Sequence, residues 1–412
     1  MKPAEQITYL EIENLADEYG PSFYLFSQDR LEANFTRFRS AFLEHYPDTL
    51  ISYSYKTNYT PAICRAIDQF GGRAEVVSDM EWSFAVANGV RPENLIYNGP
   101  NKSWDTIGEA FRGGALVQLD CQRDWEMVKR LAAQDPDAHF EFGLRLNFEL
   151  RPGQVSRFGF DMDGDQFQII IAEVRDSSQL EIVGLHCHFP NRDVESFGTR
   201  VSRMTAIAAE LLPAPPKFLN LGGGFYGEMS IEVAERLGAE SIEYSQYAEV
   251  IGREMRAAYP EPGGRPILIL EPGTAIVADT MRFVTQVIDV RDIRGKRIAT
   301  VDGSLFNTSP YSRTRSLPLR VISRQPRASR RTTDIVGFTC IESDVLSRNL
   351  PSEVEVGDFL MFENVGSYSV VMKPPFILPS PPILRWSDLD RSHALVRRQE
   401  TGQDILQTFV ME

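Results

Sequence analysis

Lys56 is a candidate nucleophile in the first quarter of the chain. It lies in the segment Ser54-Tyr55-Lys56-Thr57-Asn58, directly after a short apolar run. When a lysine is shielded from water its charged form is disfavoured, so its pKa falls and its amine can form a Schiff base. A solvated lysine at the end of a strand is the ordinary alternative, and Lys56 alone does not separate the two.

Two histidines, His186 and His188, are separated by a single residue. Side chains alternate along a strand, so both imidazoles point to the same side. Such a pair can begin a zinc site, but the chain has only five histidines, and no ligand set is evident near the other three. We therefore expect no metal ion, and we expect one imidazole to stack on a planar ligand.

A glycine triplet and a glutamate complete the set of candidate groups. Gly222, Gly223 and Gly224 let backbone N–H groups approach an anion, although a tight turn is the simpler explanation of a lone triplet. Glu271 follows another apolar run. An amine, an imidazole, an anion-binding turn and a carboxylate together meet the needs of pyridoxal phosphate, as partners of its aldehyde, ring face, phosphate and ring nitrogen.

These groups follow short apolar runs that recur through the first 280 residues. Eight such runs lie at 50–55, 73–77, 94–97, 115–119, 139–146, 180–186, 217–221 and 266–270. Amphipathic stretches between them, such as 61–70 and 202–211, have apolar residues at intervals of three and four, as in helices that cover a sheet. Alternating strands and helices indicate parallel pairing, and eight repeats predict a (β/α)8 barrel of the α/β class. An open doubly wound sheet is the alternative.

Polar residues stand at the carboxyl ends of these runs, where barrels carry their chemistry. They are Lys56, Glu75, Ser78, Asn98, Asp120, Arg145, Asn147, His186, His188, the glycine triplet and Glu271. This collection favours a functional barrel over a purely structural one, although polar strand ends also begin ordinary loops.

The pattern changes after Thr280. Apolar runs at 282–290, 297–301, 333–336 and 359–362 have no helical stretches between them, which predicts an antiparallel β-domain. A short strand at 22–26 is expected to join it. We therefore expect a barrel domain over 28–279 and a β-domain formed by 1–27 and 280–412.

Composition limits the partners and the compartment. Lys and Arg number 43 against 57 Asp and Glu, and the net charge of −14 disfavours nucleic acid and anionic membranes as partners. The four cysteines form no CxxC pair, no secretory signal precedes them, and no run of about 18 apolar residues is present. We expect a cytoplasmic protein with reduced thiols that acts on a small molecule.

Eight motifs in fixed order extend this picture over nearly the whole chain. They are Tyr55-Lys56-Thr57-Asn58, Glu75-Val76-Val77-Ser78, Ser156-Arg157-Phe158-Gly159, Gly184-Leu185-His186-Cys187-His188, Leu221-Gly222-Gly223-Gly224, Glu271-Pro272-Gly273, Cys340-Ile341-Glu342-Ser343-Asp344 and Gly366-Ser367-Tyr368. Through them the chain resembles the fold type III pyridoxal-phosphate decarboxylases, the group that contains diaminopimelate, ornithine and arginine decarboxylases.

The resemblance implies a barrel followed by a β-domain, and a homodimer in which each active site takes residues from both chains. It implies that Lys56 forms the Schiff base, that His188 stacks on the cofactor ring, and that Glu271 meets the pyridine nitrogen. The glycine triplet would bind the phosphate, and Glu75 and Asn191 would belong to the cofactor site.

The same resemblance assigns two residues to the second subunit. Cys340 would return a proton to the α-carbon after carbon dioxide leaves, and Tyr368 would lie near the phosphate or the lysine. Alanine racemase shares this fold but typically lacks a carboxylate at the pyridine nitrogen. Glu271 therefore favours decarboxylation over racemisation or epimerisation.

The chain departs from the family pattern around the phosphate. Thr274 stands after Glu-Pro-Gly, where the family usually has an arginine that contacts phosphate or a substrate carboxylate. Pro190 and Asn191 replace a common Gly-Ser pair after the stacking histidine, and Glu75 stands where aspartate is usual. None of these changes removes the core chemistry.

The residue after the cysteine bears on the substrate. Relatives that act on ornithine or diaminopimelate have an acid there that meets the distal ammonium, whereas this chain has Ile341. A free ammonium against isoleucine would lose roughly 1.5–3 kcal/mol. We therefore expect an amino-acid substrate without a free distal ammonium, such as a siderophore- or antibiotic-type intermediate. The alternative is that Glu342 supplies the acid and the substrate is a free diamino acid.

The candidates for substrate binding lie in three segments: the cysteine motif, the position after Glu-Pro-Gly, and a stretch that contains two arginines. They are Ile341, Glu342, Asp344, Thr274, Arg313 and Arg315. A catalytically silent regulator that binds pyridoxal phosphate is an alternative, but Lys56 and Cys340 are both present. A metal-dependent barrel hydrolase is disfavoured by the shortage of histidines.

Overall fold

The structure is a computed structural model that describes residues 7–308, 317–325, 327 and 331–411. Its strands, in chain order, are β1 (Ser22–Phe26), β2 (Thr49–Ser54), β3 (Arg73–Val76), β4 (Leu95–Tyr97), β5 (Leu116–Leu119), β6 (Phe140–Asn147), β7 (Phe160–Asp161), β8 (Leu180–His186), β9 (Phe218–Asn220), β10 (Ile267–Leu270), β11 (Met281–Ile293), β12 (Lys296–Val301), β13 (Leu319–Ile322), β14 (Thr333–Val336), β15 (Val345–Leu350), β16 (Phe359–Phe362), β17 (Ile383–Trp386) and β18 (His393–Arg397).

Most helices alternate with the strands of the barrel, and a few accompany the remaining strands. They are α1 (Tyr9–Tyr19), α2 (Gln28–His45), α3 (Pro61–Gln69), α4 (Asp79–Ala87), α5 (Trp104–Arg112), α6 (Gln122–Gln134), α7 (Asp165–Arg175), α8 (Val194–Leu211), α9 (Ile231–Leu237), α10 (Tyr244–Ala258), α11 (Thr274–Val277), α12 (Leu305–Thr308) and α13 (Gly402–Leu406). Among the described residues, no helix combines the length and the apolar character needed to cross a bilayer.

The chain divides into two compact units. The barrel unit comprises 34–228 and 242–275, and the β-unit comprises 1–33, 229–241 and 276–412. The division differs from the predicted boundaries at 28 and 279 chiefly because 229–241, which contains α9, groups with the β-unit. The predicted boundaries lie only at the two ends of the barrel, so they do not include this internal segment of the β-unit.

The barrel unit is a closed ring of eight parallel strands, in the order β2, β3, β4, β5, β6, β8, β9 and β10, with β10 paired to β2. The prediction of a (β/α)8 barrel is confirmed. Phe218 helps to fill the interior, since a Cβ added at Gly184 would lie 2.4 Å from its ring and one at Gly143 would lie 2.8 Å away. The barrel is therefore packed with side chains, and the strand ends are left to position polar groups.

The β-unit is built on a mixed sheet, in which the order of the main path is β15-β14-β12-β11-β1-β17-β18. Most neighbours are antiparallel, as predicted, and β1 joins the sheet beside β11. Two pairs, β12 with β14 and β1 with β17, are parallel. Parallel neighbours need a long connection, and each of these pairs is separated by a long stretch of chain, so the expected purely antiparallel domain is corrected to a mixed one.

Candidate functional site

Lys56 lies in a short 3-10 turn, Tyr55–Thr57, that directly follows β2. Its Nζ donates to Oε2 of Glu75 and to Oγ of Ser54, each at 2.6 Å. The register of β2 and β3 places Ser54 opposite Glu75, which brings these side chains together. The Lys56 side chain is 36% exposed and that of Glu75 is 1% exposed. The amine therefore lies at the rim of the barrel unit, ion-paired to a buried carboxylate.

Glu271, the residue after β10, is buried and held by two amides. Its Oε1 accepts hydrogen bonds from Nδ2 of Asn98 at 2.7 Å and from Nδ2 of Asn220 at 2.6 Å. Both amides use Oε1, whereas Oε2 lies 3.7 Å from Nε2 of His186, beyond hydrogen-bond distance, so Oε2 can accept a further donor. Burial, followed by the nearby charge of Glu75, raises the pKa of the Glu271 carboxyl.

Asn98 also connects the two acids, because its Nδ2 lies 3.2 Å from Oε1 of Glu75. Lys56, Glu75, Asn98 and Glu271 thus form a continuous line of polar contacts, which we call the base network. The network runs across the carboxyl ends of β2, β3, β4 and β10, four strands that the ring makes neighbours.

The two predicted histidines have different roles in the geometry. His186 ends β8 and is buried, and among the described residues neither ring nitrogen has a hydrogen-bond partner. His188 accepts the N–H of Gly223 at Nδ1, 3.0 Å away, which places the proton of a neutral ring on Nε2. Burial lowers the pKa of both, helped by Arg145 at His186 and by Lys56 at His188, so both imidazoles are neutral near neutral pH.

Two features of the turn require glycine in the triplet: positive φ values and the close approach of neighbouring backbone atoms. Gly222 and Gly224 have φ values of 68° and 103°, which favour glycine. A Cβ at Gly222 would lie 2.6 Å from the carbonyl oxygen of Cys187, and one at Gly223 would lie 2.4 Å from that of Glu271. This geometry explains the tight turn. The N–H of Gly222 donates to Oδ1 of Asn220 and that of Gly223 to Nδ1 of His188, so among the described residues only the N–H of Gly224 is left for an anion.

The cysteine motif lies in the turn between β14 and β15. Cys340, Ile341 and Glu342 are all exposed, and the Ile341 side chain is 40% exposed. Tyr368 follows β16 in the same unit and has a φ of 60°, a left-handed conformation that is uncommon for non-glycine residues. These residues belong to the β-unit, whereas the base network belongs to the barrel unit.

Asp344, a predicted substrate-binding residue, is buried within the β-unit. Its Oδ1 accepts the N–H of Leu305 at 2.7 Å, and its Oδ2 accepts Oγ1 of Thr339 at 2.7 Å. A Cβ at Gly337 would lie 2.1 Å from Oδ2. Both carboxylate oxygens are engaged inside the protein, which favours a role in holding the turn that carries Cys340.

The remaining predicted residues are placed as follows. Asn191 accepts a hydrogen bond at Oδ1 from Nε2 of Gln154 at 2.8 Å. Thr274 begins α11 and is partly buried. Arg313 and Arg315 lie outside the described residues.

Several site residues had only a weak signal in the sequence. The sequence indicates that Asp120 and Arg145 are polar residues at strand ends. It does not indicate that they form a buried ion pair, in which Nη1 of Arg145 lies 2.6 Å from Oδ1 of Asp120. Ser54, Asn220 and the helical residue Arg200 were not singled out. Their contacts with Glu75, Glu271 and the glycine turn join residues 21 or more positions apart, and no local pattern indicates such contacts.

Glu81 was also missed, although a signal existed. It lies three positions after Ser78, the spacing of a helix capping pair, and its N–H donates to Oγ of Ser78. Its Oε2 accepts the N–H of Val77 at 2.9 Å. Burial raises the pKa of the Glu81 carboxyl to about 7, and the nearby charge of Glu75 acts in the same direction.

The donor set of the barrel unit fits pyridoxal phosphate. The Lys56 amine suits an aldehyde, and Oε2 of Glu271 suits a protonated ring nitrogen. The neutral His188 ring suits a flat partner, and the glycine turn suits a phosphate. Each predicted group thus has an observed counterpart with suitable chemistry.

Comparison with known protein families supports this set. The pyridoxal-binding domain of the pyridoxal-dependent decarboxylases matches residues 29–278. That range covers the whole ring of strands from β2 to β10 and includes every residue of the base network.

Two curated relatives match nearly the whole chain. The diaminopimelate decarboxylase of Methanothermobacter thermautotrophicus is 27% identical over 95% of this chain and 92% of its own length. A probable chloroplastic diaminopimelate decarboxylase of Oryza sativa is 27% identical over 94% of this chain and 79% of its own length.

Solved structures show the same fold. The diaminopimelate decarboxylase of M. jannaschii superposes with a TM-score of 0.84 at 23% identity, covering 97% of this chain and 94% of the other. A single-residue mutant of the Helicobacter pylori diaminopimelate decarboxylase, in complex with L-lysine, superposes with a TM-score of 0.82 at 23% identity, covering 96% of this chain and 98% of the other. The β-unit is therefore included in the similarity, together with the barrel.

Proposed function

This chain belongs to the pyridoxal-dependent decarboxylases, and on that premise we propose that it removes carbon dioxide from a free diamino acid of the diaminopimelate or ornithine type. It is a carboxy-lyase that uses pyridoxal phosphate. The observation that carries the proposed chemistry is the base network, in which the amine of Lys56 and the carboxylate of Glu271 are joined through Glu75 and Asn98.

The base network would hold the cofactor at two points, the aldehyde carbon and the ring nitrogen. When bound, pyridoxal phosphate supplies an electron-accepting ring that takes up the electron pair left at the α-carbon. Lys56 would hold the aldehyde carbon covalently, with Glu75 and Ser54 fixing its amine. Glu271 would accept the ring N–H at Oε2 and keep that nitrogen protonated, because the two amides on Oε1 prevent the carboxylate from turning away.

Two further residues would orient the ring and move a proton. His188 has its Nδ1 fixed by the N–H of Gly223, so its neutral ring presents a constant face for stacking. Cys340, on its exposed turn, would return a proton to the α-carbon in place of the carboxylate. In this proposal the thiol comes from the partner subunit, as the family resemblance implies.

The proposed substrate differs from the conjugated one expected from Ile341. The relatives matched over 94% and 95% of this chain are named diaminopimelate decarboxylases, which favours a free diamino acid over a siderophore-type intermediate. Glu342, the next residue, is exposed, and among the described residues its carboxylate has no ion-pair partner. We assign to Glu342 the contact with the distal ammonium.

Steady-state kinetics with lysine, ornithine, diaminopimelate and their ω-acyl derivatives test this assignment. Glu342→Gln removes the counter-charge, so kcat/KM for the free diamino acids should fall roughly 10- to 100-fold, while that for the acyl derivatives stays unchanged. Glu261→Gln, at another exposed carboxylate, is the matched control and should leave every value unchanged.

Two results would contradict the proposal. If the unaltered enzyme turned over the ω-acyl derivatives faster than the free diamino acids, the hypothesis of a conjugated substrate would be favoured instead. An equal loss for acylated and free substrates in Glu342→Gln would show that Glu342 supports the turn rather than the ammonium.

A further inference from the structure

Arg200, in the middle of α8, is completely buried without an acidic partner. Its side chain is 0% exposed, and among the described residues no carboxylate lies within ion-pair distance of it. Its Nε has no hydrogen-bond partner, and its guanidinium stacks on the ring of Phe197 at 4.1 Å. Burial lowers the pKa of Arg200 to about 10, so the group remains charged at neutral pH. A buried charge that forms no ion pair is costly, and Asp193 influences this guanidinium only from a distance, so a further partner of Arg200 is expected.

The guanidinium donates only to backbone carbonyls, and these belong to two loops. Nη1 donates to the carbonyl oxygens of Leu221 at 3.3 Å and Gly223 at 3.1 Å, in the glycine turn. Nη2 donates to those of Phe189 at 3.0 Å and Asn191 at 2.5 Å, in the loop after His188. Arg200 therefore joins the two loops that follow β8 and β9.

A second tie between the same loops comes from Tyr247 of α10. Its hydroxyl donates to the carbonyl oxygen of Arg192 at 2.6 Å and accepts the N–H of Tyr226 at 3.5 Å. The Arg192 guanidinium also lies over the Tyr226 ring, 5.3 Å from its centroid. Arg200 and Tyr247 thus hold the two loops together.

The carbonyls turned toward Arg200 determine where the neighbouring N–H groups point. In a trans peptide the N–H points opposite to the C=O, so the N–H groups of Gly224 and Arg192 face away from the guanidinium. Among the described residues, neither N–H has a hydrogen-bond partner. Unpartnered backbone N–H groups with a buried positive charge behind them are suited to binding an anion.

We propose that Arg200 is the positioning residue of the cofactor phosphate: it fixes the two loops and supplies, from behind them, the positive charge that Thr274 cannot supply. The phosphate dianion would then add a nearby counter-charge to a guanidinium that forms no ion pair among the described residues and that Asp193 influences only from a distance. This inference rests on the assignment of the glycine turn to the phosphate, and it does not depend on which amino acid is decarboxylated.

The test compares the affinities of the apoenzyme for pyridoxal phosphate and for pyridoxal, which differ only in the phosphate, by absorbance titration without amino acid. Arg200→Gln should weaken binding of pyridoxal phosphate roughly 10- to 100-fold and that of pyridoxal less than about threefold. Arg203→Gln removes a charge from the exposed side of the same helix and should leave the ratio of the two affinities unchanged.

An equal loss for both ligands in Arg200→Gln would show a merely structural role and overturn the proposal, as would an unchanged ratio or an equal effect of Arg203→Gln. If Arg200→Gln fails to fold, Arg200→Lys decides, because lysine keeps the charge but cannot reach all four carbonyls. The ratio should then fall about three- to tenfold, and a ratio equal to that of the unaltered enzyme would overturn the proposal. Since no substrate is present, failure of the diamino acid assignment leaves this result intact.

Discussion

Lys56 is held by the protein before any ligand is considered. Its amine contacts two oxygens at 2.6 Å, one from a neighbouring strand end and one from its own strand. Such a lysine has little freedom to search for a reactive position, which is how a rigid scaffold reduces the entropy of reaching the reactive geometry. The position of the amine is therefore a property of β2 and β3.

The first residue-scale prediction concerns the covalent link at Lys56. The purified enzyme should be yellow, and borohydride reduction should attach the cofactor permanently to this lysine, because its amine is the one placed beside the base network. Peptide mapping by mass spectrometry checks the site. Lys102→Ala is not a fair comparison, because Lys102 is buried, so Lys129→Ala, at a half-exposed lysine, serves as the control. Normal cofactor attachment and activity in Lys56→Ala would contradict the assignment.

Individual site residues differed in how well the sequence predicted them. Lys56, His188 and Glu271 follow apolar runs and Glu75 lies near the end of one, so barrel topology brings them to one end. The hydrogen bond from Asn98 to Glu271 joins residues 173 positions apart, and no local pattern encodes such a contact. Arg200 has the appearance of an ordinary helical arginine, since the carbonyls it binds become visible only when the loops are folded.

At the scale of elements, the loop after β4 is tied to the start of α6 by a buried ion pair. Nζ of Lys102 lies 2.8 Å from Oδ2 of Asp124, and both side chains are 0% exposed. The same amine donates to the carbonyl oxygen of Gly99 at 2.6 Å, and Oδ2 also accepts the N–H of Asp120 at 2.9 Å. This pair therefore holds the loops at two successive strand ends, including the one that carries Asn98.

Removing one partner of this pair should destabilise the fold more than removing both. Lys102→Met leaves Asp124 buried and unpaired, and the free energy of unfolding should fall by about 3–5 kcal/mol, whereas Lys102→Met combined with Asp124→Leu should recover part of that loss. Denaturant titration of the unaltered protein, Lys102→Met, Asp124→Leu and the double variant measures this. A double variant that loses as much as the sum of the single variants would show that the two residues act independently.

The β-unit shows what element patterns leave open. Alternating apolar residues identified its strands, but the pattern of one strand says nothing about the direction of its neighbour. β1 pairs in parallel with β17, which the chain reaches only after the proline-rich stretch before Ile383. Prediction of a strand was therefore easier than prediction of its pairing.

At the scale of the whole molecule, the expected homodimer has a direct test. Lys56→Ala and Cys340→Ala should each be inactive, but if every active site takes its lysine and its cysteine from different subunits, mixed dimers contain one intact site. Random assortment of equal amounts should restore about a quarter of the original activity. Activity assays after mild dissociation and reassociation measure the recovery.

The control for this experiment is a mixture of Lys56→Ala with a second variant of the barrel unit, Glu271→Ala, which should recover nothing, because both losses fall in the same half of the site. Absence of recovery in the Lys56 and Cys340 mixture, despite demonstrated subunit exchange, would mean that each chain completes its own site.

The excursion of 229–241 into the β-unit has a topological consequence. The chain passes from one unit to the other at four places, near 33, 228, 241 and 275. A single proteolytic cut at any of these crossings leaves the two units linked by the remaining three. Neither unit can be separated as one uninterrupted fragment, since the barrel unit is assembled from two segments of the chain and the β-unit from three.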